Sequence, residues 1–387
     1  MNALLYMHTE LHPVRRRGAA VCRDTAEQLS AIRRIVAEVA AGMLPPALVE
    51  SGPSVGASNS EHYLGQLFEA GELLDRLQWA KGLAGDTKQV VVTHLDKAQA
   101  LGPVRRVAAP PCLSALDALE RDFPHCGEIT ALLRRRIALA HCCPTPVFRL
   151  PPLLLSGAPG CGKTALAKRI AALLAVPHAE IDMANLQTSF TVVGLDIGYA
   201  NGRPGRLWEV LQHECMSPVI VLDELDKAHS KGSDNEAVGF LYGLLEPLTA
   251  RRFTDAAIGL AIDASRISWI ATCNQVGLID PAIQSRFNVI EVPQPTVQQM
   301  PAVISSIHRD LVSTADWAAW FEQPLSNEVI TALTALSPRA VMRAIEDAYA
   351  VAATAGRRFV IPADVQEARA PHEQRQIGFI HSHYQGT

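Results

Sequence analysis

The run Gly157-Ala158-Pro159-Gly160-Cys161-Gly162-Lys163-Thr164 combines flexible backbone, a cation and a hydroxyl within one turn. Glycines let consecutive backbone N–H groups face inward around an anion, and a helix starting at the end of the turn adds its positive N-terminus. Lys163 is placed to reach the outer phosphates of a nucleotide, and the Thr164 hydroxyl is a hard oxygen suited to Mg²⁺. An apolar run, Leu153–Leu155, precedes the turn and an Ala/Leu-rich stretch follows it. That strand-turn-helix setting is what separates a phosphate-binding loop from a chance match. A second pair, Asp223 and Glu224, closes the apolar run in "SPVIVLDELDK". Acids at the C-terminal end of a strand lie where open α/β sheets bind ligands. Asp223 is expected to hold Mg²⁺ through its water shell, and Glu224 to orient and polarise an attacking water.

The elements that must position these groups follow from periodicity. Short apolar runs at Leu153–Leu155, Ala179–Asp182, Val219–Leu222, Ile267–Thr272 and Asn288–Val292 alternate with helical patterns, which predicts an α/β fold with a parallel sheet sandwiched by helices. Upstream, "LSALDALERDFPHCGEITALLRRRIALAH" predicts two helical stretches broken at Phe123-Pro124. From Pro301 onward the chain reads as a smaller helical domain, with a break at Ser337-Pro338 and a short strand at Arg358–Ile361. Residues 1–110 show helical spacing over Thr25–Leu44 and Glu61–Leu83, a β-like run at Val90–Thr93, and Pro/Gly/Ser-rich connections. The expected organisation is a helical N-terminal region (1–110), an α/β nucleotide-binding domain (111–297), and a small helical lid domain with a C-terminal tail (298–387).

Several further motifs, which appear along the chain in the family's order, resemble the AAA+ ATPases and most closely the ATPase portion of Lon-type proteins. "SWIATCN" ends in Asn274, at the family's sensor-1 position. "DPAIQSRFNVIEVP" places Arg286 where the family has an arginine that reaches a neighbouring subunit's nucleotide. "SPRAVMRAIEDAYA" matches the sensor-2 helix, with Arg339 at the γ-phosphate position and Arg343 one turn on. "TVVGLDIGYANGRPGRLWEVL" puts Tyr199 at the aromatic position of the loop that lines the family's central pore, with Ala200 where a second bulky apolar residue is usual. The resemblance implies ATP and Mg²⁺ as ligands, with Gly157–Thr164 and Asp223 binding and Glu224, Asn274, Arg286 and Arg339 serving hydrolysis. It also implies self-association into a ring and a protein client threaded past Tyr199. The serine–lysine peptidase domain of Lon-type proteases is not expected in the short stretch after "RFVIPADVQEARA". The rival reading is an AAA+ switch or loader acting on nucleic acid.

Composition favours the first reading. The 387 residues are 48% apolar and 19% charged with a net charge of −4, ordinary for a globular protein and without the basic excess that nucleic acid or an anionic membrane surface attracts. Arg15–Arg17 and Arg105–Arg106 read as solvated charges. The first residues lack a signal-peptide pattern and no apolar run approaches membrane-spanning length, so a cytoplasmic location with no membrane partner is expected. Scattered cysteines without paired metal-ligand spacing read as reduced thiols.

Overall fold

The computed structural model describes residues 63–83, 85–186, 188–199, 201–231, 237–322 and 324–369. Thr25–Leu44 and Arg15–Arg17 lie outside them. Tyr63–Gln66 (β1) and Val104–Val107 (β2) pair antiparallel with Gly65 opposite Arg105, and two helices run between them, α1 (Ala70–Lys81) and α2 (Gly85–Leu101). Residues 63–66 are thus strand, not the start of the helix that the spacing over Glu61–Leu83 predicts. Val90–Thr93 is also corrected, since it lies inside α2. Its β-branched residues favour strand locally, but Val91, Leu95 and Ala98 recur at helical spacing and are fully buried, so packing of that stripe overrides propensity. The helix stops at Gly102, whose φ of 76° is a left-handed conformation that glycine adopts without a Cβ clash. Arg105 is not solvated either. It is 2% exposed, and its Nη1 donates to the carbonyls of Leu101 (3.1 Å), Gly102 and Val104 (3.2 Å), placing a cation on the orphan carbonyls at the C-terminus of α2.

After α3 (Ala115–Asp122) and α4 (Gly127–His141), separated by the expected break at Phe123-Pro124, the chain enters the sheet. Strand β3 (Leu153–Ser156) leads through the glycine turn into α5 (Lys163–Leu174), followed by β4 (His178–Asp182), α6 (Phe190–Val193), α7 (Arg206–Leu211) and β5 (Val219–Asp223). Next come α8 (Phe240–Leu244), α9 (Pro247–Ala250), a small antiparallel pair β6 (Phe253–Thr254) and β7 (Ala261–Ile262), then β8 (Ser268–Cys273), α10 (Pro281–Gln284) and β9 (Asn288–Glu291). Five strands make one sheet in the order β4-β5-β8-β3-β9, every neighbouring pair parallel. Alternate side chains point to opposite faces. Leu153, Leu155, Val219, Val221 and Ile270 join one core with α5, whereas Leu154, Ile220, Leu222, Trp269 and Ala271 join another. Burial on both faces explains why these strands read as continuous apolar runs.

The second of those cores also contains Leu73, Leu77, Val91 and Leu95 from α1 and α2. Residues 63–107 are further tied to the sheet domain by Asp263 N–H donating to the Leu67 carbonyl (2.7 Å) and by Trp208 Nε1 donating to His94 Nδ1 (3.3 Å). Contacts divide the chain into two compact units, residues 1–294 and 295–387, so the described N-terminal elements belong with the sheet.

The second unit is helical: α11 (Met300–Thr314), α12 (Asn327–Leu333), α13 (Pro338–Thr354) and α14 (Pro362–Arg369). Ser326 and Ser337 cap α12 and α13 by accepting from Val329 and Ala340 N–H, with Pro338 at the first helical position. Its core centres on Trp317, Phe321 and Tyr349, whose rings lie 4.6–5.7 Å apart. Arg358–Ile361 is not the strand that its alternation predicts. Arg357 forks onto the buried Asp364, donating to Oδ2 at 2.8 Å and Oδ1 at 2.5 Å, and the Ile361 N–H also donates to Asp364, which folds the segment into a turn. The Arg357 bond holds the Asp364 carboxyl below its ordinary value. A depressed folded pKa contributes stability that is complete above the unfolded carboxylate value near 4 and is lost as pH falls through the lower folded one. Asp364→Asn should therefore cost about 2 kcal/mol near neutrality and flatten the loss of stability on acidification below pH ~5, measured by denaturant melts against pH. A variant with the native pH profile would show that the pair contributes nothing.

Candidate nucleotide-binding site

The sheet order brings the C-terminal ends of β3, β5 and β8 side by side, and the chemistry-bearing residues stand there. Gly157 has no room for a side chain, because an added Cβ would meet the Val292 carbonyl oxygen at 2.4 Å. Gly160 and Gly162 take φ of 82° and 100°, left-handed values that let the turn curl before α5 begins at Lys163. Lys163 is 8% exposed, and a buried ammonium needs acceptors. Its Nζ donates to the carbonyls of Gly157 (2.8 Å) and Ala158 (3.1 Å) and to Asn274 Oδ1 (2.9 Å). The loop lysine and the polar residue after β8 are thereby joined across 111 positions of sequence.

Asp223 ends β5. Its Oδ1 accepts the Thr164 hydroxyl at 2.8 Å and the Thr272 hydroxyl at 2.5 Å. Glu224 follows with φ of 57°, a left-handed conformation that costs a side-chain-bearing residue energy. Its backbone N–H donates to Thr272 Oγ1 at 3.0 Å, and its Oε2 sits 2.7 Å from Lys227 Nζ. Lys227 is raised by that bond. Asp226, 3% exposed, accepts both the Asn274 and Gln275 N–H groups on Oδ2 at 3.1 Å and so fixes the turn that carries Asn274.

Lys163, Thr164, Asp223, Glu224 and Asn274 thus form one neighbourhood. Cys161 is buried in the loop, where a Cβ added at Gly157 would meet its sulfur at 3.2 Å and His125 Nε2 lies 3.3 Å from its carbonyl oxygen. Burial pushes the neighbouring Cys126 and Cys273 thiols up to about 12, with contributions from Cys161 and Asp226 respectively, so both stay protonated and neither offers a thiolate. Among the described residues, no group of three or more His, Cys, Asp or Glu side chains is arranged to hold a metal. The hydroxyl of Thr164 beside the Asp223 carboxylate is, however, a hard-oxygen pair of the kind that Mg²⁺ takes together with phosphate oxygens and water.

The remaining sequence candidates lie on other elements. Arg286 follows α10, where its Nε lies 3.0 Å from Glu246 Oε1, its Nη1 donates to the Ala282 carbonyl, and its guanidinium is 5.8 Å from the Tyr242 ring centre. Arg339 is an exposed residue at the start of α13 in the second unit. Tyr199 is 66% exposed in a loop whose neck is a bridge between Leu195 and Arg203. Buried Asp255 secures the base of that loop by accepting the Gly205 N–H at 2.8 Å. Ala200 lies outside the described residues. Thr272, Asp226 and His125 carry no motif that spacing could reveal, since each is a lone polar residue that becomes informative only once the strands are adjacent.

Residues 153–294 match the family described as "ATPase family associated with various cellular activities (AAA)". The chain is 34% identical over 150 residues to the Lon protease of Amoebophilus asiaticus, an alignment covering 38% of this chain and 18% of the relative. It is 34% identical over 142 residues to the peroxisomal Lon protease homolog 2 of Caenorhabditis briggsae, covering 36% and 18%. It is 35% identical over 151 residues to the Lon protease of Syntrophus aciditrophicus, covering 38% and 19%. The chain thus spans less than a fifth of the length of these relatives. A solved structure of a Thermotoga maritima RuvB mutant aligns over 57% of this chain and 62% of its own at 16% identity, with a TM-score of 0.39, too low to bear on either fold or function. Within this chain, residues 153–294 are an AAA domain with a Lon-like core.

Proposed function

We propose that this chain binds ATP in the Gly157–Thr164 loop and hydrolyses it, and that it does so as one subunit of a cytoplasmic ring that remodels a protein client. The observation that carries hydrolysis is the placement of two hydrogen-bonded pairs, Lys163–Asn274 and Thr164–Asp223, at the ends of adjacent strands, with Glu224 following Asp223. Phosphoryl transfer asks a protein chiefly to position groups and to stabilise charge. Lys163 exchanges its loop carbonyls for outer phosphate oxygens, and Asn274, held by Asp226, remains beside it to contact the γ-phosphate or the attacking water. Thr164 and, through its water shell, Asp223 would hold Mg²⁺, which would supply neutralisation of phosphate charge. Glu224 orients the water once its carboxylate leaves Lys227. By resemblance, Arg286 acts on the nucleotide of a neighbouring subunit and Arg339 on the γ-phosphate.

Two variants separate binding from chemistry. Lys163→Ala should abolish tight binding of a fluorescent ATP analogue, whereas Glu224→Gln should keep binding and lose turnover by roughly 10²–10⁴, the scale of one positioned base. Failure of both variants at the same step, with native-like melting, would overturn the assigned roles.

The remodelling half of the proposal rests on Tyr199. An exposed aromatic at the end of an anchored loop can grip extended polypeptide, and the base of this loop is held rigidly by Asp255. Unfolded protein should stimulate ATP hydrolysis by the native chain, and Tyr199→Ala should remove that stimulation. Stimulation by single-stranded DNA but not by unfolded protein, undiminished in Tyr199→Ala, would contradict a protein client and favour a nucleic-acid one.

A further inference from the structure

We infer that Thr272 is the positioning residue that sets both acids of the site, a role that rests on the ATPase reading. Thr272 is 1% exposed on β8, one strand away from the acids, and its hydroxyl both donates and accepts a hydrogen bond. The proton goes to Asp223 Oδ1 at 2.5 Å, since an ionised carboxylate can only accept, and a lone pair takes the Glu224 N–H at 3.0 Å. One oxygen atom therefore fixes the rotamer of the metal-side acid and the backbone of the water-side acid.

The Glu224 bond matters because of the backbone it restrains. At φ of 57° the residue sits in the left-handed region, where L side chains are strained, and that turn decides the direction in which its Cα–Cβ bond leaves the strand end. An extended backbone at this position would carry the side chain elsewhere. Thr164 donates to the same Asp223 oxygen at 2.8 Å, so the carboxylate is clasped between the first turn of α5 and the sheet. The parallel register places Thr272 beside Leu155 of β3 while β5 pairs Leu222 with Ala271, which brings Thr272 level with the end of β5. A β-branched side chain suits the role, because its χ1 is restricted and the hydroxyl stays aimed. The sequence around it offers no alternative hydroxyl: Ala271 and Cys273 flank it, and Cys273 is a buried, protonated thiol.

The test replaces the hydroxyl by a methyl of equal shape. In Thr272→Val, kcat for ATP should fall about tenfold or more, the scale of one charge-assisted hydrogen bond, with KM changed by less than about threefold. Independently of turnover, Mn²⁺ titrated into the protein with a non-hydrolysable ATP analogue and followed by electron paramagnetic resonance should half-saturate at about tenfold higher concentration, while analogue binding in EDTA stays at the native level. Thr272→Ser keeps the oxygen and should restore both readouts to within about threefold of native. If Thr272→Val does not fold, Thr272→Ala removes the same hydroxyl with less bulk and carries the same expectations. Native kcat and native Mn²⁺ affinity in a folded hydroxyl-less variant would overturn the positioning role, and so would a Thr272→Ser protein as impaired as Thr272→Val. Absence of turnover by the native chain would count against the ATPase reading, and the Mn²⁺ titration would still decide the role of Thr272.

Discussion

A buried ammonium organises this molecule. Lys163 has almost no access to solvent, so its charge requires oxygen acceptors from the protein, and it finds them on the glycine turn and on Asn274. That requirement closes the loop around the lysine and ties it to the turn after β8. The adjacency is possible only because β8 lies next to β3, with Ser156 opposite Cys273, although more than a hundred residues separate them in sequence. The sheet order is therefore part of the site.

From this centre the remaining contacts act as a series of clamps. Asp226 holds the Asn274 turn by its backbone, and Thr272 connects β8 to the acids at the end of β5. Only the side chains of Glu224 and Lys227 meet at a solvent-exposed edge, where an ion pair contributes little and breaks easily. Glu224 is thus weakly held where it must change partner, while Asp226 and Thr272, which hold the Asn274 turn and the acids, are buried. Away from the site, the Tyr199 loop follows the same division, with an anchored base at Gly205 and Asp255 and an exposed aromatic.

Much of this is legible in the sequence where one physical requirement dominates a contiguous stretch. A strand buried on both faces must be apolar throughout, and a turn that wraps phosphate must be rich in glycine, so Leu153–Thr164 and Val219–Glu224 are recognisable from residue order alone. Legibility fails where tertiary contacts outvote local preference. The Val90–Thr93 run has strand-like residues but a helical burial stripe, Arg358–Ile361 is bent by a buried Asp364, and Arg105 is drawn inside by the open carbonyls of α2. Thr272 and Asp226 are illegible for a different reason. Each is one polar residue whose partner lies on another element, so its role exists only after the sheet has formed.

Everything proposed for this cluster depends on water, positioned beside it, taking the terminal phosphoryl group of ATP. The direct measurement is ATP turnover by the native chain in ¹⁸O-labelled water with mass analysis of both products. Phosphate should be released in proportion to protein and carry solvent oxygen, with ADP free of label. No phosphate above background, or label appearing in ADP, would refute hydrolysis at the terminal phosphate.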